Sequence, residues 1–485
     1  MKKLEDILKS VELRNELSDS NALVNGVAID SRKVKDGYLF IAYKGVDLDG
    51  HLFIKQAILN GAKYIVLEDE KFISSESEVQ YILVDEARKV VGQIAGNFYD
   101  HPSHDLIVVG VTGTNGKTTT ASLLYALFSS LGFKSGLIST IENKYGDVIV
   151  PAKLTTPDAI SLQALFAEMK DQNVSHVFME VSSHALHQGR VRGIDYDLAV
   201  FTNITHDHLD YHKTFAEYIK AKQTLFDDLS KDANILINID DRNGEVIAQH
   251  SKATKYSYAL KKPAKFKGKV ISNAASGLQM IIDGKEIFLR LVGHFNAYNA
   301  LAAYGAGVIL GVEEHELLRA LSTLKSAEGR MDIVQNEKVN YKAIIDYAHT
   351  PDALEKVLKT LKDIKKEGKQ LITVVGCGGN RDKTKRPKMA QIASRFSDVL
   401  LLTSDNPRDE DPVQIINEMY EGLDDKNAKT VIKITDRKEA IKMACMLAKD
   451  DDLILVAGKG HEKYQEVKGE KFPFDDKKII SAFMH

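Results

Sequence analysis

Short apolar runs alternate with longer amphipathic stretches along most of the chain. Between residues 104 and 332 the apolar runs lie at 106–109, 176–179, 198–201, 235–239 and 287–292. Beyond residue 332 further strand candidates lie at 342–346, 371–375, 398–402, 430–434 and 453–456. Apolar runs of this length, separated by helical patterns, are typical of strands in parallel α/β sheets. The pattern predicts two α/β units, and the polar–apolar alternation in 255–292 predicts some antiparallel strands at one edge.

The first 103 residues carry separate strand and helix signals. Strands are predicted at 37–42 and 64–67, with a helical segment around 54–59 between them. The His-Pro-Ser-His step at 101–104 then breaks the pattern. We therefore predict three domains, covering 1–103, 104–332 and 333–485, each of a size that can fold independently.

A glycine-rich segment, Gly-Val-Thr-Gly-Thr-Asn-Gly-Lys-Thr-Thr-Thr, follows the first strand of the second domain at 110–120. Strand, glycine loop, Lys-Thr and helix form a phosphate-binding loop, because backbone N–H groups and the helix N-terminus attract a polyphosphate. Lys117 would add a positive charge and Thr118 can hold Mg²⁺. The common motif has glycine where Val111 stands, but a plain glycine-rich turn would not explain Lys117 and Thr118. The segment predicts a nucleotide site.

Composition restricts the classes of partner. A net charge of -3 gives no general attraction to nucleic acid or to an anionic membrane. No apolar run approaches the ~20 residues that span a bilayer, and the start of the chain lacks an apolar signal core. Cys377 and Cys445 are far apart and show no metal-binding spacing. We expect a cytoplasmic, monomeric protein that acts on small molecules, with no nucleic-acid partner and no membrane insertion.

Polar clusters follow nearly every predicted strand after residue 104. Besides the glycine loop, these clusters begin at Glu180, Thr202, Asp346, Gly376, Thr403 and Ala457. Ligands of open parallel sheets bind outside the carboxyl ends of the strands. The positions therefore predict that two α/β domains supply residues to one cleft.

Two of these clusters contain possible metal ligands. Glu180 ends a strand, where a carboxylate commonly supports Mg²⁺ beside a nucleotide, although it could instead cap the next helix. The series His206-x-His208-x-Asp210-x-His212 could alone bind zinc, which would indicate a metallohydrolase. Because Lys117 and Thr118 indicate a nucleotide, we favour His208 as a ligand of a second Mg²⁺.

Basic residues have both solvated and ligand-binding interpretations. By composition, Lys222 in Lys-Ala-Lys is an ordinary solvated helix lysine, and Arg386 is expected on the solvated surface. Arg408 lies in Asp-Asn-Pro-Arg after a strand, and an arginine can pair bidentately with a carboxylate. We therefore predict that Arg408 binds a ligand.

Several motifs together resemble the Mur ligase family. They are Gly-Thr-Asn-Gly-Lys-Thr-Thr at 113–119, Glu-Val-Ser-Ser-His at 180–184, Asp-His-Leu-Asp-Tyr-His at 207–212, Gly-His-Phe-Asn-Ala-Tyr-Asn at 293–299 and Asp-Tyr-Ala-His-Thr-Pro at 346–351. The match runs in order from residue 27 to about 465. Segments 27–32, 155–158, 376–387 and 458–462 are most similar to the members that add the third amino acid.

The resemblance implies an α/β protein of three domains. These are an N-terminal domain for a UDP-sugar, a central P-loop ATPase-like domain with a parallel sheet, and a C-terminal Rossmann-like domain for an amino acid. It also implies an ATP-dependent amide ligase in peptidoglycan precursor synthesis. The D-glutamate side-chain carboxylate of UDP-MurNAc-L-Ala-D-Glu would become an acyl phosphate, which the amino group of the incoming residue attacks.

Site residues follow from the resemblance by position. Lys117 and the loop residues Gly113, Thr114, Asn115, Gly116, Thr118 and Thr119 would bind ATP, together with Asn299, Arg330 and Asp346. Thr118 and Glu180 would hold one Mg²⁺, and His208 with a carbamylated Lys222 the other, since a carbamate supplies the anionic oxygen that Mg²⁺ prefers. Contacts to UDP-MurNAc-dipeptide are implied for Ser31, Thr155, Thr156, Ser182, Gln188 and Arg190.

The amino acid is predicted from the segment Asp405, Asn406, Pro407 and Arg408. This form resembles the ligases that add meso-diaminopimelate, because lysine-adding relatives usually lack the arginine. Arg408 could grip the carboxylate that lysine lacks, with Arg381, Gly458 and Glu462 completing the pocket. The alternatives are a lysine-adding ligase, a folylpolyglutamate synthetase-like ligase, and an ATP-driven switch that hydrolyses ATP without an amino-acid acceptor.

Overall fold

The computed structural model describes residues 1–45, 48–74, 78–205, 207, 209–423 and 430–484. The chain forms two compact units. The first contains Met1–Lys117 and Leu124–Ser257, and the second contains Thr118–Leu123 and Tyr258–His485. The predicted domain boundaries near 103 and 332 stay predictions.

The N-terminal part of the first unit contains a four-stranded parallel sheet. Its strands are, in order, Gly26–Ala28, Tyr38–Ile41, Ala62–Leu67 and Gln80–Leu83. Helices Leu4–Ile7, Ile54–Leu59 and Ala87–Phe98 accompany it, as do the 3₁₀ turns Ser31–Lys33, Gly50–Phe53, Glu70–Phe72 and Pro102–Asp105. A short ladder joins Lys2–Lys3 to Leu23–Val24. The strands and the helix predicted in this region are confirmed.

A second sheet of the first unit surrounds the glycine-rich segment. Five parallel strands run in the order Ser135–Ile138, His176–Glu180, Ile107–Thr112, Leu198–Phe201 and Asn234–Asn238. The hairpin Glu142–Tyr145 and Val148–Pro151 adds antiparallel strands beside Ser135–Ile138. The accompanying helices are Lys117–Ser130, Ala159–Asp171, Ser183–His187, Leu209–His212, Phe215–Asp227 and Gly244–Ile247. Central parallel strands are buried on both faces, which explains their continuous apolar runs.

The second unit begins with an antiparallel meander, as the alternation in 255–292 predicted. Its strands are Phe266–Ala274, Gly277–Ile282 and Lys285–Leu289, and the end of Thr254–Ala259 pairs in parallel with the first of them. The alanine-rich helix His294–Ile309 and the helix Glu314–Leu321 follow.

A six-stranded sheet forms the rest of the second unit. Its order is Asp332–Val334, Lys342–Asp346, Leu453–Ala457, Leu371–Val375, Val399–Leu402 and Thr430–Lys433, and only the first pairing is antiparallel. Helices Pro351–Ile364, Lys385–Phe396, Pro412–Tyr420, Arg437–Leu447 and Asp476–Phe483 accompany it, with the hairpin Tyr464–Val467 and Glu470–Pro473. The predicted parallel α/β architecture is confirmed. Within the described ranges, no helix has the length and apolar character needed to cross a membrane.

Candidate active site

The glycine-rich loop connects Ile107–Thr112 to Lys117–Ser130. Gly113 has a φ of +152°, and a Cβ at this position would lie 1.9 Å from Oγ1 of Thr202. The backbone N–H of Thr114 donates to the Asn203 carbonyl at 2.8 Å, and that of Asn115 donates to Asn203 Oδ1 at 3.0 Å. The segment that follows the strand Leu198–Phe201 therefore fixes the shape of the loop. Glycine at position 113 leaves the space that this close contact needs.

Two lysine side chains converge on one backbone carbonyl of this loop. The oxygen of Gly113 accepts hydrogen bonds from Lys117 Nζ at 2.9 Å and from Lys222 Nζ at 3.0 Å. Lys222 is 1% exposed, so the composition-based expectation of a solvated lysine is wrong. Burial, reinforced by the charge of Lys117, lowers the pKa of Lys222 well below its usual value. The lowered pKa favours the neutral amine, which is the form that reacts with CO₂ to give a carbamate.

Glu180 is fully buried at the end of its strand. Its carboxylate accepts hydrogen bonds from the backbone N–H of Thr140 at 2.7 Å and from the Thr140 hydroxyl at 3.2 Å. The next helix is capped by Ser182, whose side chain accepts from the N–H of Ala185. Glu180 is thus not needed as a helix cap, and its oxygens suit a hard cation such as Mg²⁺.

The predicted metal ligands fit Mg²⁺ by chemistry. Thr118 and Glu180 offer a hydroxyl and a carboxylate, and a carbamylated Lys222 would offer a further oxygen. His208 lies outside the described residues, as does His206, so the second Mg²⁺ and the zinc alternative both stay predictions. Among the residues that are described, no group of three or more His, Cys, Asp or Glu side chains could hold a metal ion.

Hydroxyl side chains predicted to contact the UDP-MurNAc-dipeptide gather around the end of the Glu180 strand. The Thr156 hydroxyl donates to the Glu180 carbonyl at 2.7 Å and accepts from the backbone N–H of Ser182 at 3.1 Å. The Thr155 hydroxyl accepts a hydrogen bond from Thr140 at 3.1 Å. These bonds bring Thr155, Thr156 and Ser182 together beside the Glu180 carboxylate.

Arg190 joins this group through Gln188. Its Nε donates to Gln188 Oε1 at 2.8 Å, and its Nη1 donates to the Thr156 carbonyl at 3.0 Å. Burial lowers the pKa of Arg190, although nearby tyrosines and Asp158 oppose the shift. Five of the six residues predicted to contact the UDP-MurNAc-dipeptide therefore form one connected group.

The sixth, Ser31, lines a cavity of about 1390 Å³ in the first unit. Asp158, three residues after Thr155, lines the same cavity. Three lysines that had not been predicted as site residues line this cavity: Lys33, Lys35 and Lys55. Lys33 and Lys35 belong to the basic segment Ser-Arg-Lys-Val-Lys at 31–35, which suits an anionic ligand such as a diphosphate, whereas Lys55 lies outside this segment.

In the second unit, Arg330 occupies the centre of the predicted nucleotide contacts. Its Nη2 donates to Thr118 Oγ1 at 3.2 Å, and its guanidinium lies 4.6 Å from the centre of the Tyr347 ring. Arg330 Nε is buried without a hydrogen-bond partner among the described residues. This donor remains available to a ligand.

Asp346 is buried close to Arg330. Asn299 is buried close to the start of the helix Lys117–Ser130. Asp346 accepts from the backbone N–H of Met331 at 2.7 Å, and burial raises the pKa of Asp346 while the Arg330 charge opposes the increase. Asn299 Oδ1 accepts from the Thr120 hydroxyl at 3.3 Å. The structure thus gathers the predicted contacts of the second unit around residues 118–120 and 330.

The predicted amino-acid pocket lies at the carboxyl ends of parallel strands in the second unit. Asn406 Nδ2 donates to Glu462 Oε2 at 2.8 Å, and Lys459 Nζ lies 2.9 Å from Asn406 Oδ1 and 3.2 Å from Glu462. A Cβ at Gly458 would lie 2.6 Å from Asp405 Oδ2. The structure therefore brings four of the predicted residues into contact, namely Asp405, Asn406, Gly458 and Glu462. The buried Lys459 adds a basic side chain to this group.

Arg408 adjoins this pocket in an unusual backbone conformation. Its φ is +51°, and its Nη1 donates to the Gly379 carbonyl at 2.9 Å. A Cβ at Gly379 would lie 1.9 Å from the Pro407 carbonyl, so the two segments pack closely.

Two further arginines differ from one another. Arg381 is exposed, and its role in ligand binding stays a prediction. Arg386 has no exposed surface and pairs with Glu410 at 2.9 Å and Glu418 at 2.6 Å. The expectation of a solvated Arg386 is wrong, because these two carboxylates compensate its buried charge.

Three family models match the chain. They are the Mur ligase middle domain over residues 111–307, the Mur ligase glutamate ligase domain over 329–460, and the Mur ligase family catalytic domain over 23–99.

Full-length relatives agree with these models. A relative from Cytophaga hutchinsonii, named UDP-N-acetylmuramoyl-L-alanyl-D-glutamate--2,6-diaminopimelate ligase, is 51% identical over 481 residues, which are 99% of each chain. A relative of the same name from Phocaeicola vulgatus is 48% identical and covers 99% of this chain and 98% of its own. A solved structure of that name is 32% identical, with a TM-score of 0.72 and coverage of 100% of this chain and 99% of the other. The chain belongs to the Mur ligase family.

Proposed function

We propose that the protein joins meso-diaminopimelate to UDP-MurNAc-L-Ala-D-Glu in an ATP-dependent reaction that forms an amide bond. The D-glutamate side-chain carboxylate attacks the γ-phosphorus of ATP, and ADP leaves. An amino group of meso-diaminopimelate then attacks the acyl phosphate carbon, and inorganic phosphate leaves.

The chain's own residues divide this work. Lys117 and the backbone amides at 116–119 hold the ATP phosphates, and Arg330 and Asp346 contact the nucleotide. Thr118 and Glu180 would hold one Mg²⁺, and His208 with a carbamylated Lys222 would hold a second. Mg²⁺ at these positions would neutralise the charge that develops on the transferred phosphoryl group.

The observation that best supports the phosphoryl-transfer step is that Lys117 and Lys222 both donate hydrogen bonds to the Gly113 carbonyl oxygen. Two ammonium groups bound to one oxygen would repel each other strongly inside the protein. Burial beside Lys117 lowers the pKa of Lys222 and so favours its uncharged form, and carbamylation would introduce a negative charge there. A cation that assists phosphoryl transfer could then bind beside Lys117.

The UDP-sugar and the amino acid have separate candidate positions. The cavity containing Ser31 and three lysines suits the uridine diphosphate group, and Thr155, Thr156, Ser182, Gln188 and Arg190 suit the dipeptide. Arg408 would bind the carboxylate that distinguishes meso-diaminopimelate from lysine.

A phosphate-release assay tests this proposal. UDP-MurNAc-L-Ala-D-Glu, ATP and Mg²⁺ are supplied with meso-diaminopimelate, with lysine, or with no amino acid, and the ligated product is identified by its mass. We expect rapid release and product with meso-diaminopimelate, much slower turnover with lysine, and no turnover without an amino acid. Equal rates with lysine would contradict the role of Arg408, and release without any amino acid would favour the ATP-driven switch. Turnover of a folate substrate in place of the UDP-sugar would favour the folylpolyglutamate synthetase-like alternative.

A further inference from the structure

The hairpin formed by Tyr464–Val467 and Glu470–Pro473 contacts the segment that carries Arg408. Gln465 Nε2 donates to the Asp405 carbonyl at 2.6 Å, and the backbone N–H of Glu466 donates to Asn406 Oδ1 at 3.0 Å. These bonds place the first strand of the hairpin beside residues 405–406.

The same strand fixes the backbone of Arg408. The N–H of Arg408 donates to the Glu466 carbonyl at 3.0 Å, and the Arg408 carbonyl accepts from Lys468 at 2.8 Å. This parallel bridge between Arg408 and Val467 holds the arginine at its positive φ, which is uncommon for a residue with a side chain. Its side chain therefore leaves the turn in a direction that the hairpin determines.

Glu466 also contacts the guanidinium directly. Its Oε2 lies 3.2 Å from Arg408 Nε, and the two side chains are 25% and 21% exposed. Nη1 is already bound to the Gly379 carbonyl. Among the described residues, none accepts a hydrogen bond from Arg408 Nη2, so this nitrogen keeps both of its N–H groups for a ligand.

We propose that Glu466 is a positioning residue that sets the specificity of the ligase for meso-diaminopimelate by orienting Arg408. The inference rests on the proposed function. Glu466 and Gly379 fix two of the three guanidinium nitrogens, and the plane of the group then directs Nη2 toward the second carboxylate of the substrate. Without Glu466 the arginine would lose this orientation while keeping its charge.

The test measures KM and kcat for all three substrates in Glu466→Ala and Glu466→Gln. In Glu466→Ala we expect KM for meso-diaminopimelate to rise about tenfold, because Arg408 loses the ion pair that orients its guanidinium toward the substrate. KM for ATP and for UDP-MurNAc-L-Ala-D-Glu should stay unchanged. Glu466→Gln keeps an oxygen that can accept from Nε and should recover most of the loss.

Two controls distinguish orientation from general damage. Glu470→Gln changes an exposed glutamate on the other strand of the same hairpin and should leave every constant unchanged. The rate with lysine, which lacks the second carboxylate, should not fall in Glu466→Ala, so the preference for meso-diaminopimelate over lysine should decrease about tenfold.

Three results would overturn the proposal. A lower KM for meso-diaminopimelate in Glu466→Ala would mean that Glu466 competes with the substrate carboxylate for Arg408. Equal losses for all three substrates would indicate a structural role alone, and unchanged constants would show that Glu466 has no role in selection. Failure of the proposed function itself would be visible separately, because the unmodified protein would then show no turnover dependent on meso-diaminopimelate.

Discussion

The surroundings of Lys222 change the pKa of its side-chain amine and therefore its reactivity. The same residue on a solvated helix face would be an ammonium, but here it is buried beside a second lysine. We expect Lys222→Ala to abolish ligation nearly completely, and short carboxylates such as acetate to restore part of it by occupying the place of the carbamate. Phosphate release measures both effects, and Lys220→Ala on the same helix is a suitable control. Normal turnover of Lys222→Ala would disprove the carbamate.

The carbamate should also depend on pH. Because burial lowers the pKa of Lys222, the amine is neutral above that lowered value and becomes protonated as the pH falls through it. A protonated amine cannot bind CO₂. We therefore expect the ¹³C-carbamate NMR signal of protein equilibrated with labelled bicarbonate to weaken as the pH is lowered and to be absent in Lys222→Ala. A signal that grows at low pH would contradict this assignment.

At Gly113, the addition of one Cβ atom should change the conformation of the phosphate-binding loop. An added Cβ would lie 1.9 Å from Thr202 Oγ1, so Gly113→Ala must displace the loop. We expect KM for ATP to rise at least tenfold, whereas Gly132→Ala, where nothing lies within 4 Å, should cost only about 1–2 kcal/mol of stability for the positive φ. Isothermal titration with ADP and urea unfolding separate the two effects, and unchanged ADP affinity in Gly113→Ala would refute the role of the loop.

For single residues, the sequence indicated which side chains are candidates for binding, but it did not indicate how deeply each side chain is buried. Lys117, Thr118, Glu180 and Arg408 were predicted as site residues because strand exits and glycine spacing are local patterns, and their roles stay predictions. The burial of Lys222 and Arg386 was not predictable from composition, because it arises from residues distant in the sequence, such as Glu410 and Glu418.

Among the elements, the buried strands were the most predictable. Leu371–Val375 and Lys342–Asp346 match their predicted ranges, because the interior of a strand covered on both faces is apolar. The hairpin that begins at Tyr464 was missed, since its strands are short and mostly polar and contact the pocket through backbone bonds. The residue that we propose as the orienting partner of Arg408 lies on this hairpin.

Helices Arg437–Leu447 and Asp476–Phe483 are joined by a fully buried ion pair. Arg437 binds Asp476 through two hydrogen bonds of 2.9 and 2.8 Å, and it also donates to the Ala457 carbonyl at 3.0 Å. Since Ala457 directly precedes Gly458, the pair supports the strand end that carries the amino-acid pocket.

Removal of one partner of this pair should destabilise the second unit. We expect Asp476→Ala to lower the free energy of unfolding by about 3–5 kcal/mol, because it leaves an uncompensated buried charge. Replacement of both residues, as Arg437→Met with Asp476→Leu, should recover much of the loss. Urea unfolding provides the measurement, and Glu355→Ala, from an exposed pair with Arg395, should cost less than about 1 kcal/mol. A loss that small for Asp476→Ala would show that the pair contributes little.

At the scale of the whole molecule, each compact unit has apolar cores of its own. The candidate contacts for UDP-MurNAc-L-Ala-D-Glu lie in the first unit, and those for meso-diaminopimelate lie in the second. The substrates should therefore stabilise different parts of the chain.

Hydrogen exchange can test this division. We expect UDP-MurNAc-L-Ala-D-Glu to slow exchange in 27–35 and 155–190, and meso-diaminopimelate to slow it in 376–381, 405–408 and 458–466. Lysine serves as the control and should protect the second set less. Protection of 27–35 by meso-diaminopimelate would contradict the assignment of the two sites.

The buried pair of Arg437 and Asp476 has a consequence for synthesis on the ribosome. The carboxylate lies 39 residues after the arginine, so a nascent chain must release residue 476 before Arg437 can be neutralised. Until then the six-stranded sheet would enclose an uncompensated charge. Chains that terminate before residue 476 would therefore remain incompletely folded in this region.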